Sequence, residues 1–453
     1  MFFREDVMQV VCDVLSKKNY EKETELAFNL YLFYLVSFFL HIPSRINFLG
    51  AIRLDFLLVG LIVFLIMSSA SYKGSKLDLS SRYLISIFLY SIFCIPFVKW
   101  PGSVISNGLI EFIKGAIFYF FTVNLILSEK RLKILLVVFV SSNLIRVFEP
   151  LFLHLTEGYM GSRTYLGSGD FAGRLSGAPS DTINSNGLAF VIATIFPFLH
   201  YVLSPINKKS FLVYIAVVPV LLYVMSLTLS RSGMLALGII AFGIFFKSKR
   251  KALLIILGVV GISIMWMSFS GTQKDRYLSI VSDDTRSSAS AEGRIDSFFK
   301  DLGVAMNRPI FGHGLGTSRE ANFHAYGRDQ PSHVLWTETW QEIGVIGLIL
   351  FLLYLKSMIS NFREAGRIVR ANLKESDFLF RCLQAMQVWL LMNILFSFAS
   401  YGLKSYEWYF FGGLSVVVYK LANKITADKD GSEHGGIKKV VEKYPLARRI
   451  RGQ

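Results

Sequence analysis

The chain alternates between long apolar stretches and short polar connections. A helix that crosses a bilayer needs about 20 apolar residues, and twelve stretches reach or approach that length. Their approximate bounds are 26–42, 54–71, 83–99, 105–127, 134–154, 187–204, 210–229, 232–247, 251–269, 339–360, 378–400 and 405–422. This pattern predicts an all-α polytopic membrane protein with about twelve transmembrane helices. An even number of spans puts both termini on one side.

Lysine and arginine are distributed unevenly between the two sides of this predicted bundle. They concentrate in the connections on the side of the termini, whereas the short connections on the opposite face hold few. Because cytoplasmic loops carry such an excess, both termini are expected in the cytoplasm. The net charge of +16 is therefore mostly a topology signal. The basic tail, 425–453, suits anionic lipids better than nucleic acid.

Composition agrees with a membrane protein and excludes a soluble enzyme. Of the residues, 53% are hydrophobic and only 18% are charged, whereas a soluble domain is about one quarter charged. The three cysteines, at 12, 94 and 382, are far apart, so neither a disulfide framework nor a metal site is expected. Residues 1–25 have no signal-peptide pattern. They are expected to form a cytoplasmic segment before a transmembrane domain at 26–424.

Two loops on the predicted outer face are longer than the others, one at about 155–186 and the other at about 270–333. Long loops without regular structure are uncommon unless they are functional or disordered. The second loop contains GRIDSFFKDLGVAMNRP, where Ile295, Phe298, Phe299 and Leu302 form one apolar stripe at helical spacing and Pro309 ends the pattern. We expect a short helix here, lying on the membrane surface.

Two arginines precede or begin predicted spans on the outer face. Arg231 lies in LTLSRSGML, a turn between two apolar helices, where an arginine is energetically costly. Arg174 lies in GRLSGAPSDTINSNGLAF, whose Asn and Gly residues offer donors near a helix N-terminus, an arrangement that suits anions. The alternative for Arg231 is an interfacial arginine whose side chain reaches toward the headgroups. The alternative for Arg174 is an ordinary polar loop with a helix cap.

Two more candidates belong to the long loop. Arg294 opens its predicted helix, where a guanidinium fork and a helix N-terminus both suit phosphate oxygens. The loop holds eight basic and eight acidic residues between Lys274 and Asp329, so this prediction depends on placement and not on net charge. His333, in QPSHVLWTETWQEIG, is predicted to lie in the first turn of the tenth span. A neutral imidazole there could accept a proton.

Other polar features favour structural interpretations. The glycine run FGHGLG (311–316) permits close backbone approach to a ligand, but an ordinary turn is favoured. Glu111 with Lys114, and Arg146 with Glu149, stand three residues apart, so each pair is predicted to neutralise itself. Asp283 and Asp284 could hold a metal, but they have no second acidic cluster at a matching site, which disfavours metal-dependent transfer. Serine motifs of the G-x-S-x-G type are absent from the sequence, which disfavours hydrolysis.

Three segments together resemble the bacterial O-antigen ligase and O-antigen polymerase superfamily: SRSGML, GRIDSFFKDLGVAMNRPIFGHGLGTS and SHVLWTETWQEIGVIGLILF. Members move glycans off undecaprenyl diphosphate at the periplasmic face of the bacterial inner membrane. The resemblance implies that Arg231 and Arg294 bind the lipid diphosphate and that His333 activates the acceptor. Arg174 resembles a feature found more in polymerases than in ligases. Val334 departs from the family, where Asn commonly follows the histidine.

The resemblance implies metal-independent, inverting glycosyl transfer that requires no cofactor. Polymerisation of lipid-linked O-antigen, or of a related polysaccharide, is the leading hypothesis. Its partners would be the lipid-linked glycan donor and acceptor, inner-membrane lipids and a chain-length regulator protein. Ligation of the glycan to lipid A-core is the close alternative, and transport of a lipid-linked oligosaccharide is a second. The sequence leaves open whether His333 acts as a base or orients the acceptor.

Overall fold

A computed structural model of the chain describes residues 21–69, 77–167, 170–278, 289–327, 329–332, 334–400 and 402–443. These residues are mostly helical. Among them, six helices are long and apolar enough to cross a membrane, and shorter apolar helices accompany them. The structure therefore agrees with a multi-pass membrane protein, and the count of twelve spans stays a prediction.

The elements follow the predicted order of spans and loops. Two short helical turns, Ile42–Arg45 and Asn47–Ala51, connect the first two helices. In chain order, the elements are α1 Glu25–Leu40, α2 Leu54–Ser68, α3 Leu79–Phe93, α4 Pro101–Leu125, α5 Glu129–Glu157, β1 Gly161–Gly167, β2 Asp170–Leu175, α6 Ser185–Leu203, α7 Lys208–Leu227, α8 Arg231–Lys247, α9 Lys251–Ser268, α10 Gly271–Leu278, α11 Ala289–Asn307, α12 Ser318–Tyr326, α13 Leu335–Asn372, α14 Phe378–Phe396 and α15 Tyr406–Lys443.

Short polar side chains start several helices on the residue before the first apolar turn. Asp78 accepts a hydrogen bond from the Ser81 amide at the start of α3. Asn184 does the same for the Gly187 amide at the start of α6. Such N-caps satisfy backbone donors that have no partner within the helix. The polar connections thus fix where the apolar helices begin.

Aromatic side chains dominate the core of the bundle. Helix α15 packs against α4 and α13, and Tyr31, Trp389 and Tyr409 are fully buried. The ring of Phe139 stacks on that of Phe410, with centroids 5.0 Å apart. Large rings bury much area and can pack edge to face or offset. This explains how a chain with 40 Phe packs the larger of its two hydrophobic clusters.

A β-hairpin departs from the all-helical prediction. Strands β1 and β2 pair antiparallel inside the predicted loop 155–186, with Ser162 opposite Arg174. The sequence analysis missed it because the segment is short and rich in Gly and Ser, which weakens any alternating pattern. The hairpin matters for the site because β2 carries Arg174.

Helix α13 is broken at Gly344, where φ is 67°. The carbonyls of Gln341 and Glu342, which lose their helical partners there, accept hydrogen bonds from the amides of His313 (2.7 Å) and Gly314 (2.9 Å). Positive φ values at 312, 314 and 316 let this backbone lie directly on the helix. The glycine run FGHGLG therefore packs against α13, which agrees with the structural interpretation of this segment.

Candidate active site

Arg174 is joined to the turn that precedes Arg231. Its Nε donates to the Thr228 carbonyl at 2.8 Å, and its Nη2 donates to Oδ1 of Asn186, also at 2.8 Å. The same Asn186 oxygen accepts from the Ser230 hydroxyl at 2.9 Å. One amide oxygen thus links the hairpin, the start of α6 and the α7–α8 turn. Two of the predicted arginines lie on segments that this network holds together.

The α7–α8 turn is tight and locally strained. Leu229 is buried and has φ of 49°, in the left-handed region that a branched side chain rarely adopts. Ser230 caps α8 by accepting from the Gly233 amide at 3.1 Å. Arg231 is therefore the first residue of α8, half-buried at a helix N-terminus. The backbone amides at such an end favour anions.

Arg294 lies inside its helix and not at the start. Helix α11 begins at Ala289, so the predicted contribution of the helix N-terminus to an anion site is wrong, because that effect fades beyond the first turn. The Arg294 side chain lies outside the described part. The predicted apolar stripe is also displaced, since Phe299 is 64% exposed while Val304 and Ala305 are buried.

The buried face of α11 also carries a polar residue, Asp301. Its two carboxylate oxygens accept hydrogen bonds from Asn322 Nδ2 at 3.0 Å and from the Ser332 hydroxyl at 2.8 Å. Its carbonyl accepts from Gln341 Nε2 at 2.8 Å. Buried charges persist in proteins where such partners surround them. Asp301 therefore ties α11 to α12, to α13 and to the segment that leads to position 333.

His333 itself lies outside the described residues, but its neighbours on both sides are well anchored. Ser332 is fully buried and bonded to Asp301. The Leu335 amide, at the start of α13, donates to the carbonyls of Ser397 (3.1 Å) and Ser400 (3.0 Å). The chain around position 333 is thus held from one side by α11 and from the other by the segment after α14.

A crevice of about 920 Å³ lies among these elements. Its lining includes Asn186, which bonds Arg174, and Ser232, which follows Arg231. It also includes Pro331 and Leu335, on either side of position 333. Ligand pockets in proteins have volumes of about 300–1,000 Å³. The crevice is therefore large enough for a ligand, and it is bordered by a hydrogen-bond partner of Arg174 and by residues close in sequence to Arg231 and His333.

Carboxylates gather around one lysine at the wall of this crevice. Lys404 Nζ lies 3.1 Å from Glu111 Oε2 and 4.0 Å from Glu342 Oε1. Glu338, one turn from Glu342, accepts from the amides of Gly402 and Leu403 at 2.7 and 2.9 Å. The pKa of Lys404 is raised above its ordinary value, first by Glu342 and also by Glu338 and Glu111. Lys404 is therefore protonated, and its charge is shared among carboxylates.

Comparison with known protein families identifies what this part of the chain resembles. Residues 215–352 match the O-antigen ligase family model. This match confirms the resemblance to the O-antigen ligase and polymerase superfamily that the sequence predicts. A search of curated proteins found no match.

The matched region, residues 215–352, contains Arg231, Arg294 and His333. Arg174 precedes the region but bonds to Thr228 within it. The crevice crosses the same boundary, because Asn186 and Lys404 line it together with Ser232. The matched region therefore depends on flanking segments to complete the walls of the crevice.

The two local charge pairs predicted from sequence are wrong. Glu111 contacts Lys404, and Lys114 lies over the ring of Phe56. Arg146 forms a two-pronged pair with Asp181. In place of the predicted partner Arg146, Glu149 accepts from both terminal nitrogens of Arg45, at 2.7 and 2.6 Å. Residues distant in sequence supply better-placed partners than the neighbouring helical turn does.

Sequence reasoning also missed several polar residues that the structure brings to the crevice or beside it: Asp301, Glu338, Glu342, Asn393 and Lys404. Each is a single polar residue in an apolar or mixed segment, so nothing in its spacing marks it. The available signal was the presence of a polar residue within such a segment, because burying a polar group costs free energy unless it has a partner. Among the described residues, no three His, Cys, Asp or Glu side chains converge as metal ligands would.

Proposed function

We propose that this protein is an inner-membrane glycosyltransferase that polymerises O-antigen or related repeat units linked to undecaprenyl diphosphate. The reaction would take place at the periplasmic face. Transfer would require no metal or other cofactor and would invert the anomeric centre. The observation that carries the proposal is the family match at 215–352, because that region includes three predicted site residues and borders a crevice with room for a ligand.

A lipid diphosphate is already a good leaving group, so the protein must supply position and charge more than bond-breaking chemistry. In this proposal, Arg231 and Arg294 bind the diphosphate as negative charge develops on it. Arg174 assists from β2, which is supported by its bonds to Thr228 and Asn186. His333 takes the proton from the acceptor hydroxyl as that oxygen attacks the sugar. The carbon–oxygen bond to the diphosphate breaks on the opposite face.

The proposed topology has twelve spans within residues 26–424, both termini in the cytoplasm and loops 155–186 and 270–333 in the periplasm. The described hairpin and helices α10–α12 fall within those loops. A chain-length regulator protein and inner-membrane lipids would be the further partners. Accessibility labelling of single cysteines placed in each loop would test this arrangement, and labelling of loop 270–333 from the cytoplasmic side alone would contradict it.

Ligation of the glycan to lipid A-core is the second candidate, favoured by the description of the matching family as O-antigen ligase. The two reactions share a donor and differ in the acceptor. Purified protein incubated with lipid-linked repeat unit alone separates them. We expect a ladder of longer lipid-linked chains. Products that form only after lipid A-core is added would instead identify a ligase.

The site assignment is tested by substitutions at Arg231, Arg294 and His333, each checked for normal membrane insertion. We expect Arg231→Ala and Arg294→Ala to lower transfer by at least about 100-fold, as loss of a charge-stabilising group does. His333→Ala should lower transfer by about 10²–10⁴-fold. Full glycan-building activity in the Arg294 and His333 variants would overturn the proposed mechanism.

A further inference from the structure

The crevice presents the kinds of groups that bind sugar hydroxyls. Its described lining includes five side-chain amides and six hydroxyls, together with the aromatic rings of Phe190, Phe396 and Trp408. Amides and hydroxyls both donate and accept hydrogen bonds, as a sugar hydroxyl requires. Apolar rings suit the C–H faces of a sugar.

Two buried groups that line the crevice have no partner within the described protein. Asn393 is 4% exposed, and its Nδ2 has no acceptor. Oε2 of Glu320 is buried without a donor, while its Oε1 accepts from Ser103 at 2.7 Å. Leaving such a group unsatisfied costs about 1–3 kcal/mol. A bound hydroxyl can serve either of them, since it accepts from Asn393 or donates to Glu320.

Acidic side chains outnumber basic ones in the lining of the crevice. Four described lining residues are acidic, and two, Arg319 and Lys404, are basic. Both cations are already paired, because Arg319 bonds Asp329 through two nitrogens and Lys404 contacts Glu111. The acidic residues are Glu111, Glu320, Glu338 and Glu407. A further anion in this space would meet like charge with no described cation available to it.

We propose that the crevice binds the saccharide of the substrate and selects sugars that are neutral or carry an amine over sugars that carry a carboxylate. This inference rests on the proposed glycosyl transfer. It divides the site by charge: the diphosphate would bind beside the arginines at the α7–α8 turn and on α11, and the sugar would bind among the carboxylates. Like-charge contacts discriminate between ligands even where they add little affinity.

The test uses three synthetic probes and the full chain in phosphatidylcholine nanodiscs. Each probe is a polyprenyl diphosphate disaccharide, and the distal sugar is glucose, glucosamine or glucuronic acid. Binding is measured by fluorescence of a dye on the nanodisc scaffold, and turnover is measured separately. We expect the glucose and glucosamine probes to bind about ten-fold or more tightly than the glucuronic acid probe.

Two variants locate the source of the selectivity. Glu320→Gln and Glu407→Gln should each narrow the difference between the glucose and glucuronic acid probes. The matched control is Glu364→Gln, on the part of α13 beyond the crevice, where Glu364 pairs with Arg367. The control should keep the full difference. Asn393→Leu, which removes the unsatisfied amide at similar size, should weaken binding of the glucose probe.

The outcomes separate this inference from the proposed function. Equal binding of the three probes, tighter binding of the glucuronic acid probe or no binding of any probe would overturn the inference. Selectivity that survives both Glu→Gln variants would also overturn it. Turnover without selectivity contradicts the inference and leaves the glycosyltransferase proposal standing. Selective binding without any turnover supports saccharide recognition and contradicts the proposed transfer.

Discussion

Nη2 of Arg174 lies 2.8 Å from Oδ1 of Asn186, at the point where the hairpin meets the start of α6. Ser230 donates to the same oxygen, and Ser230 is the residue before Arg231. Arg174 and Arg231 are both proposed to bind the diphosphate, and their positions are therefore coupled through the side-chain amide of Asn186. Arg174 and Arg231 are distant from each other in sequence, and only the fold brings the segments that carry them together.

Asn186→Ala removes this shared acceptor and leaves two donors unsatisfied. Because hydrogen bonds from a charged donor contribute about 1.5–3 kcal/mol, we expect transfer to fall by about ten-fold or more in a transfer assay with lipid-linked repeat unit. The control is Asn124→Ala, since Asn124 donates to the Phe120 carbonyl within α4. If Asn186→Ala matched wild type in rate, the coupling would have no functional role.

Asp301→Ala should impair transfer although the residue is not proposed to touch substrate. It removes one of the hydrogen-bond partners of Ser332, the residue before His333, and a shift of about 1 Å in a catalytic group can cost about 100-fold in rate. Asp301→Asn should restore part of the rate, because the Ser332 hydroxyl can accept from an amide as well as donate. The rate constant and KM are measured separately, and kcat should carry the loss.

The control for Asp301 is Asp296→Ala on the same helix, where Asp296 pairs with Lys300 at 2.7 Å. It should retain its rate. Equal losses in Asp296→Ala and Asp301→Ala would indicate general damage to α11 and would contradict a positioning role for Asp301.

The buried pair Arg146–Asp181 should matter more for stability than the half-exposed pair Arg45–Glu149. The side chains of the first pair are 8% and 2% exposed, and those of the second are 33% and 27% exposed. Removing one partner of a buried pair costs about 3–5 kcal/mol, whereas exposed pairs contribute about 0–1 kcal/mol. In thermal unfolding of purified protein, Asp181→Asn should lower Tm clearly and Glu149→Gln slightly. The reverse order would contradict this account.

Gly344→Ala should prevent the break in α13 from forming correctly. An added Cβ would lie 1.9 Å from the Ile310 carbonyl oxygen, and φ there is 67°. Strain of this kind costs about 1–3 kcal/mol before the clash is counted. The yield of monodisperse protein and its Tm should both fall. Gly238→Ala, where a Cβ meets nothing within 4 Å, should leave Tm unchanged or raise it, because Ala is the better helix former.

His313 predicts a loss of stability in mild acid. Burial lowers the pKa of His313 below its ordinary value, and its Nε2 lies 3.0 Å from the Val304 carbonyl oxygen. The unfolded state therefore binds more protons than the folded state as pH falls through about 6.5. The contribution of neutral His313 to the free energy of unfolding is fully present above that pH and is lost as the pH falls below it. Tm measured from pH 7.5 to 5.5 should fall more for the wild type than for His313→Gln.

The control for that pH dependence is His324→Gln on α12, where the ring of His324 stacks with Trp100. This variant should follow the wild-type curve. A wild-type Tm that did not depend on pH across this range would contradict the role assigned to His313.

Apolar stretches predicted from the sequence correspond closely to helices, because length and hydrophobicity are local properties. The segments 210–229 and 232–247 became Lys208–Leu227 and Arg231–Lys247, separated by the expected tight turn. Partners of polar residues are set by the tertiary fold instead. Arg146 could have paired with Glu149 one turn away, yet Asp181 is its partner, and no spacing rule could indicate that choice.

The glycine segment that covers the break in α13 also determines how this region can move. Its amides hold the last carbonyls of α13 before the break, and Glu342 accepts from the Gly316 amide at 2.7 Å. This N-terminal part of α13 carries Glu338, a wall residue of the crevice. A ligand that displaces this wall must carry the segment with it. Opening and closing of the crevice would therefore move α13 and the glycine segment together, and the segment would not move independently of the helix.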